Sequence, residues 1–220
     1  MKKVTKILAI LLISILSLTV MTGCGKVDPP ETVAQGFFEL ITYNDTTKLE
    51  SLGVSAEEFA PVKDFMKQAI KDNTKNNFKM AGLSITEEDL NAITEAQLNA
   101  LKKVKATFTT ESSDKQTAVV KIKTNYIKLT EVDEKAANDA LQEIQAMGLT
   151  DRQQILDACT EKYTAKLIEG LNSLEPVEDT IEKSFSFTMQ KVDIGGKTKK
   201  MWVPENPTTL GKDIATMIAQ

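Results

Sequence analysis

Two stretches of the chain, 104–129 and 181–203, carry apolar residues at every second position, while the segments around them repeat near 3.6. A period of two puts successive side chains on opposite faces of a strand, and a period of 3.6 gathers them into a stripe along a helix. One segment cannot serve both, so the order is bounded: helices, hairpin, helices, hairpin, helix. In the first stretch Val104, Ala106 and Phe108 alternate with Lys105 and Thr107 as far as a polar turn, Glu111-Ser112-Ser113-Asp114-Lys115. The return, about 117–129, sets Ala118, Val120, Ile122 and Tyr126 against Lys121 and Lys123, a hairpin with one buried and one wet face. In the second, Ile181, Phe185, Phe187 and Met189 alternate with Glu182, Ser184, Ser186 and Thr188. Gly195-Gly196 makes the turn and Lys199-Lys200-Met201-Trp202-Val203 returns. The pattern predicts an α+β fold: a curved antiparallel sheet of about four strands, two hairpins, packed against several helices.

The helices announce themselves by their ends. Asp28-Pro29-Pro30-Glu31 reads as a capping box with Asp28 as the cap, opening a helix over about 30–43 with Val33, Phe37, Leu40 and Ile41 on one face. Asp45 caps a short turn that stops at Gly53. Ser55-Ala56-Glu57-Glu58 opens a helix to about Asp72, with the stripe Phe59, Val62, Phe65, Met66, Ala69 and Ile70. Pro61 inside it predicts a kink or a later start, and Asp72 to Asn77 predicts a polar break. Thr86-Glu87-Glu88-Asp89 caps a third helix or helix pair to about Lys103, presenting Leu90, Ile93, Leu98 and Leu101. Between the hairpins, Ala136, Ala140, Leu141, Ile144 and Met147 form a stripe closed by Gly148. Thr150-Asp151 then opens a helix to about Ser173 bearing Leu156, Cys159, Tyr163, Leu167 and Leu171. Asn206-Pro207 starts a last one, with Leu210, Ile214 and Met217.

What is missing narrows the chemistry. There is no histidine, which removes Ser-His-Asp and Cys-His catalysis and histidine zinc sites. Arg152 is the only arginine, so a planar phosphate or carboxylate clamp has little to build on. The acids Glu57-Glu58 and Glu87-Glu88-Asp89 fall in first helical turns, where they complement the dipole. Asp72 to Asn77 lacks the glycine and terminal glutamate of a calcium loop. No catalytic set, metal site or cofactor is expected. Cys159 falls on an apolar stripe beside Leu156 and Tyr163, the place of a buried thiol.

The start of the chain locates it. Lys2, Lys3 and Lys6 precede an apolar run, Ile7 to Met21, the layout of an export signal. Fifteen helical residues rise about 22 Å, short of the roughly 30 Å hydrocarbon core. The run ends at Thr22-Gly23-Cys24, which resembles the lipobox of bacterial lipoproteins, with Met21 where leucine is more usual. The resemblance implies cleavage after Gly23 and a diacylglycerol on the Cys24 thiol, with palmitate-type acylation. Two acyl chains, at about 0.8 kcal/mol per buried CH₂, anchor firmly. The expected organisation is a signal peptide over 1–23, a lipidated tether over 24–29, and an extracytoplasmic α+β domain over 30–220. Extended, Cys24 to Pro30 reaches about 20 Å at most, which holds the domain near the headgroups of the cell membrane. Without the three leader lysines the chain carries 24 basic and 31 acidic residues, a net charge of −7, which argues against nucleic acid.

The opening helix Thr32-Val33-Ala34-Gln35-Gly36-Phe37-Phe38-Glu39-Leu40, followed by Asn44-Asp45-Thr46-Thr47-Lys48-Leu49, resembles the entry of cystatin-like, nuclear-transport-factor-2-like folds. With Cys24 and the late strand Met201-Trp202-Val203, the chain is similar to lipoproteins of Gram-positive bacteria that carry an uncharacterised domain of this kind. The resemblance implies a sheet around a long helix with a pocket between them, and no reaction. The long helical stretch before the first strand exceeds the compact version of that fold and leaves a division into two domains open. Phe37, Tyr126, Phe185, Phe187 and Trp202 are then the candidates for a pocket lining. Lys197, Lys199 and Lys200 read as a charged edge that blocks strand pairing, or as a contact for anionic headgroups. The function expected is a membrane-anchored, non-enzymatic binding or interaction module for an apolar small molecule or an envelope protein. The alternatives are an envelope hydrolase working with carboxylates alone and a structural envelope subunit.

Overall fold

The computed structural model describes residues 27–194 and 197–220, apart from the side chains of 56–58, 60–66, 193, 194 and 197. The leader, Gly23, Cys24 and the Gly195-Gly196 turn lie outside them. Seven helices and four strands stand among the described residues: α1 (Pro30–Tyr43), α2 (Thr47–Ser51), α3 (Ala56–Met80), α4 (Glu87–Leu101), β1 (Ala106–Ser113), β2 (Thr117–Thr124), α5 (Leu129–Ala146), α6 (Arg152–Ser173), β3 (Ile181–Ile194), β4 (Lys197–Pro204) and α7 (Pro207–Ile218). None of the helices is long and apolar enough to cross a membrane.

The strands form one sheet in the order β1-β2-β3-β4, every pair antiparallel. The α+β class, the two hairpins and the strand count are as the sequence predicts. Neighbours β2 and β3 need only a tight turn between them, yet α5 and α6 intervene. That insertion, with the stretch from Lys67 to Val104, makes a compact unit of its own. The first unit comprises residues up to Met66, Lys105–Asn125 and Asp179–Ile218; the second comprises Lys67–Val104, Tyr126–Glu178 and Ala219–Gln220.

In the first unit, register puts Val120 opposite Phe185, Ala118 opposite Phe187 and Met189 opposite Trp202. Helix α1 covers this sheet with Val33, Phe37, Phe38, Leu40 and Ile41, all at most 9% exposed. Phe38 meets Phe108 and Tyr43 edge-on at 5.5 and 5.8 Å. In the second unit, two clusters form. One gathers Phe78, Ile93, Ala96, Ala136, Leu167 and Leu171; the other gathers Ala140, Ile144 and Ala158.

Several local expectations hold, and several are corrected. Thr86 and Asp151 cap their helices, accepting from Asp89 N–H at 3.1 Å and Gln154 N–H at 3.0 Å. Gly148, at φ +63°, follows α5. Asp28 is not a cap: the helix begins behind Pro29 with no side-chain cap, and Asp28 accepts from Lys199 Nζ at 2.8 Å. Lys199 donates also to the Leu52 carbonyl at 2.7 Å, so two acceptors hold it where a cap would use one carboxylate for one amide. It is no free edge lysine. Helix α3 begins at Ala56, ahead of Pro61, and runs through Asp72–Asn77 without the expected break. Thr74 and Phe78, one turn apart, are 9% and 2% exposed, so the polar residues between them are a wet face rather than a loop. The helix stops instead at Gly82, φ +74°, where Leu83 N–H closes on the Phe78 carbonyl at 2.9 Å. Val104 lies in the turn after α4, its N–H donating to the Leu101 carbonyl at 3.1 Å. Tyr126 lies past β2, whose hairpin closes where Asn125 Oδ1 accepts Lys105 N–H at 2.7 Å.

Candidate functional site

Of the five aromatic candidates, four sit in the first unit. Phe187 is fully buried, and Phe37, Phe185 and Trp202 are 9%, 7% and 4% exposed. Trp202 also borders a cavity of about 420 Å³, shared with Val27, Asp28, Ser113, Lys115, Met189 and Lys200. This is where the described chain begins. Tyr126 belongs to the second unit, half-buried, its carbonyl accepting Val177 N–H at 2.9 Å. The structure therefore places Tyr126 in a different unit from the other four.

A groove of about 450 Å³ opens wholly within the second unit. Helix α3 and the turn after it contribute Asn77, Phe78, Met80, Ala81 and Leu83; α5 contributes Asp133, Ala137, Ala140, Leu141 and Ile144; α6 contributes Cys159 and Tyr163. Its floor is packed. Phe78 and Ala140 are 2% exposed, and the Phe78 and Tyr163 rings lie 5.2 Å apart at 45°. Its rim is apolar and uncovered. Met80 is 85% exposed and Leu141 is 52% exposed.

Helical geometry explains why α5 presents both kinds of residue. Ala136, Ala140 and Ile144 recur at every fourth position and pack inward, with Ala136 and Ala140 both 2% exposed. Leu141 and Met147 flank that line, 52% and 50% exposed. Alanines on the line keep the helix surface low, which leaves room for the groove above them.

Besides Asn77, a hydrogen-bonded polar pair interrupts the wall. The Tyr163 hydroxyl donates to Asp133 Oδ1. Burial first, and the Asp133 hydrogen bond and charge after it, push the Tyr163 phenol well above the usual tyrosine range. The hydroxyl therefore stays protonated and donating throughout the neutral range. Asp133 is the one charged side chain among the described residues that line the groove. Lys162, the residue before Tyr163 on α6, is already engaged by Glu161 at 3.4 Å and Glu143 at 3.9 Å.

A third cavity, of about 430 Å³ in the same unit, is mixed in character, with Lys135, Asp139, Lys166, Glu169 and Glu175 among its residues. Lys166 is paired with Glu143 at 3.1 Å, which raises its pKa from the usual lysine value. These are internally compensated surface ions.

Sequence reasoning named Cys159 and Tyr163 as stripe residues and missed the groove they border. Cys159 is half-buried on that wall rather than enclosed. A signal was present: the α5 stripe has two more large apolar residues, Leu141 and Met147, than a line at every fourth position can hide.

No protein-family model matches the chain, and no curated protein matches it in sequence. Among solved structures it is similar to a putative lipoprotein (ycdA) from Bacillus subtilis, with a TM-score of 0.58 and 11% identity over 86% of this chain. The match covers 56% of that protein, so the chain spans little more than half its length. At this identity the likeness speaks for the fold alone.

Proposed function

We propose that the chain is an extracytoplasmic lipoprotein held on the cell membrane by a diacylglycerol on Cys24, and that its folded part is a non-enzymatic binding module. The observation that carries the reading is Cys24 itself, placed directly after Gly23 at the end of a lysine-led apolar run. The fold it shares with a protein named a putative lipoprotein supports it. So does the way the chain enters the first unit, where Asp28 is tied to Lys199 and leaves three residues between Cys24 and the fixed backbone. The anchor would hold the protein at the outer face of the membrane, within reach of amphiphiles that leave it.

Labelling with an alkyne-bearing palmitate in a bacterial host tests the anchor. The wild-type chain is expected to take the label and sediment with membranes. Cys24→Ala is expected to lose the label and accumulate uncleaved, migrating above the wild type. Label retained by the variant, or an unlabelled wild-type chain in the soluble fraction, overturns the reading.

A further inference from the structure

We propose that the groove of the second unit is a binding site for a single-chain amphiphile with a cationic head, in its simplest form an alkyl amine. The inference rests on the reading of the folded part as a binding module and gives that module a site and a ligand class. Three observations carry it.

The first is capacity. A volume of about 450 Å³ falls in the range of small-molecule sites, roughly 300–1,000 Å³, and the walls are mostly hydrocarbon. The second is where the uncovered apolar surface lies. Single exposed apolar residues need no explanation, but here Met80 and Leu141, two of the three large apolar side chains exposed among the described residues, stand on the same groove. They extend the wall into water, where an alkyl chain would cover them. The third is charge. The lining offers one carboxylate, Asp133, whose Oδ1 is fixed by the Tyr163 hydroxyl. That hydroxyl is committed as a donor, so the polar end of the groove presents negative charge. An ammonium head would pair with Asp133 beside a half-buried phenol. A carboxylate head would meet a like charge next to an apolar wall, which disfavours it. A neutral alcohol falls between.

Cys159 on the groove wall makes occupancy measurable. A chain starting at Val27 keeps every helix and strand found among the described residues and lacks Cys24, leaving Cys159 as its sole thiol. The rate at which an aromatic disulfide modifies Cys159 is read against rising dodecylamine, dodecanol and dodecanoate, each kept below its micelle-forming concentration. Dodecylamine is expected to slow modification saturably, at a concentration about three- to tenfold below that needed for dodecanol, with dodecanoate weakest. Asp133→Asn is expected to erase the amine preference while leaving dodecanol protection intact. Asp139→Asn, on the same helix but outside the groove, should keep it, which separates this site from a general attraction of cations to an acidic protein. Met80→Gln and Leu141→Gln, at exposed positions that leave the circular dichroism unchanged, are expected to weaken protection by all three probes.

Equal protection by the three heads, dodecanoate binding more tightly than dodecylamine, or no protection by any of them overturns the proposal. Dodecylamine bound in native mass spectra with Cys159 unprotected overturns this site but keeps a binding module. Absence of both, alongside palmitate labelling at Cys24, keeps the anchor and removes the module. Sedimentation showing a dimer that Leu141→Gln dissociates, without amphiphile protection, would assign the groove to a second copy of the chain instead.

Discussion

The two units use the same kinds of apolar residue to opposite ends. In the first, Phe37, Phe38, Phe185, Phe187 and Trp202 are packed between helix and sheet, none more than 9% exposed. In the second, Phe78 and Tyr163 floor a groove whose rim, Met80 and Leu141, remains in water. A sheet face is broad, and one helix with bulky side chains can close it. Helices lined with alanine approach one another without filling the space beside them. The difference teaches that a buried aromatic face is the support here, and that the accessible apolar surface belongs to the helical insertion.

Each unit carries its own reporter: Trp202, the single tryptophan, in the first and Cys159 in the second. The largest contrast should come from Phe187→Ala. Removing that fully enclosed ring is expected to cost about 3–5 kcal/mol, read as an earlier Trp202 fluorescence transition in urea. If Cys159 becomes reactive at the same urea concentration, the units unfold as one and the contrast in packing has no thermodynamic counterpart.

Two glycines sharpen the same point. A Cβ at Gly36 would lie 2.7 Å from Leu49, which is fully buried, whereas a Cβ at Gly170 would lie 2.7 Å from the half-buried Val132. Leu49 has nowhere to go, so Gly36→Ala is expected to cost about 1–3 kcal/mol by the Trp202 transition. Val132 can turn aside, and the helix gains up to about 1 kcal/mol from alanine, so Gly170→Ala should come out near zero by Cys159 protection. Equal losses would mean that the second unit is as tightly packed as the first.

Tyr163→Phe removes one hydrogen bond and is expected to cost about 0.5–1.5 kcal/mol in the second unit. It also sets a pH dependence. The folded-state pKa of Tyr163 is raised above its ordinary value of 10.0, so its contribution is fully present below pH 10 and is lost as pH rises through the folded value. Alkaline titration followed by tyrosine absorbance should show phenols that ionise late, and Tyr163→Phe should remove one of them. Tyr43, raised by burial and by Glu39, remains as the first unit's counterpart. The smallest effect belongs to Leu141→Ala. At 52% exposure it should shift urea stability by no more than about 0.5 kcal/mol while loosening any hold on an alkyl chain.

Much of the fold was legible from short-range pattern. Alternation at Ala118, Val120 and Ile122 and at Phe185 and Phe187 marks strands that pair as a sheet, because a period of two allows no other buried face. Thr86 and Asp151 cap their helices because a cap needs only the next turn. The site was less legible. Asp28 looked like a cap for the same local reason, but its partner Lys199 stands 171 residues away. The polar run from Asp72 to Asn77 looked like a break because only packing around Phe78 makes it the outer face of a helix. By itself the sequence determined the class, the hairpins, the absence of histidine chemistry and the expectation of a lipid anchor at Cys24. Only the tertiary structure decided that Phe185 and Phe187 are closed over while Leu141 and Met80 are not. Periodicity states which face of an element is apolar; whether that face is covered depends on how closely a neighbour from elsewhere in the chain can approach.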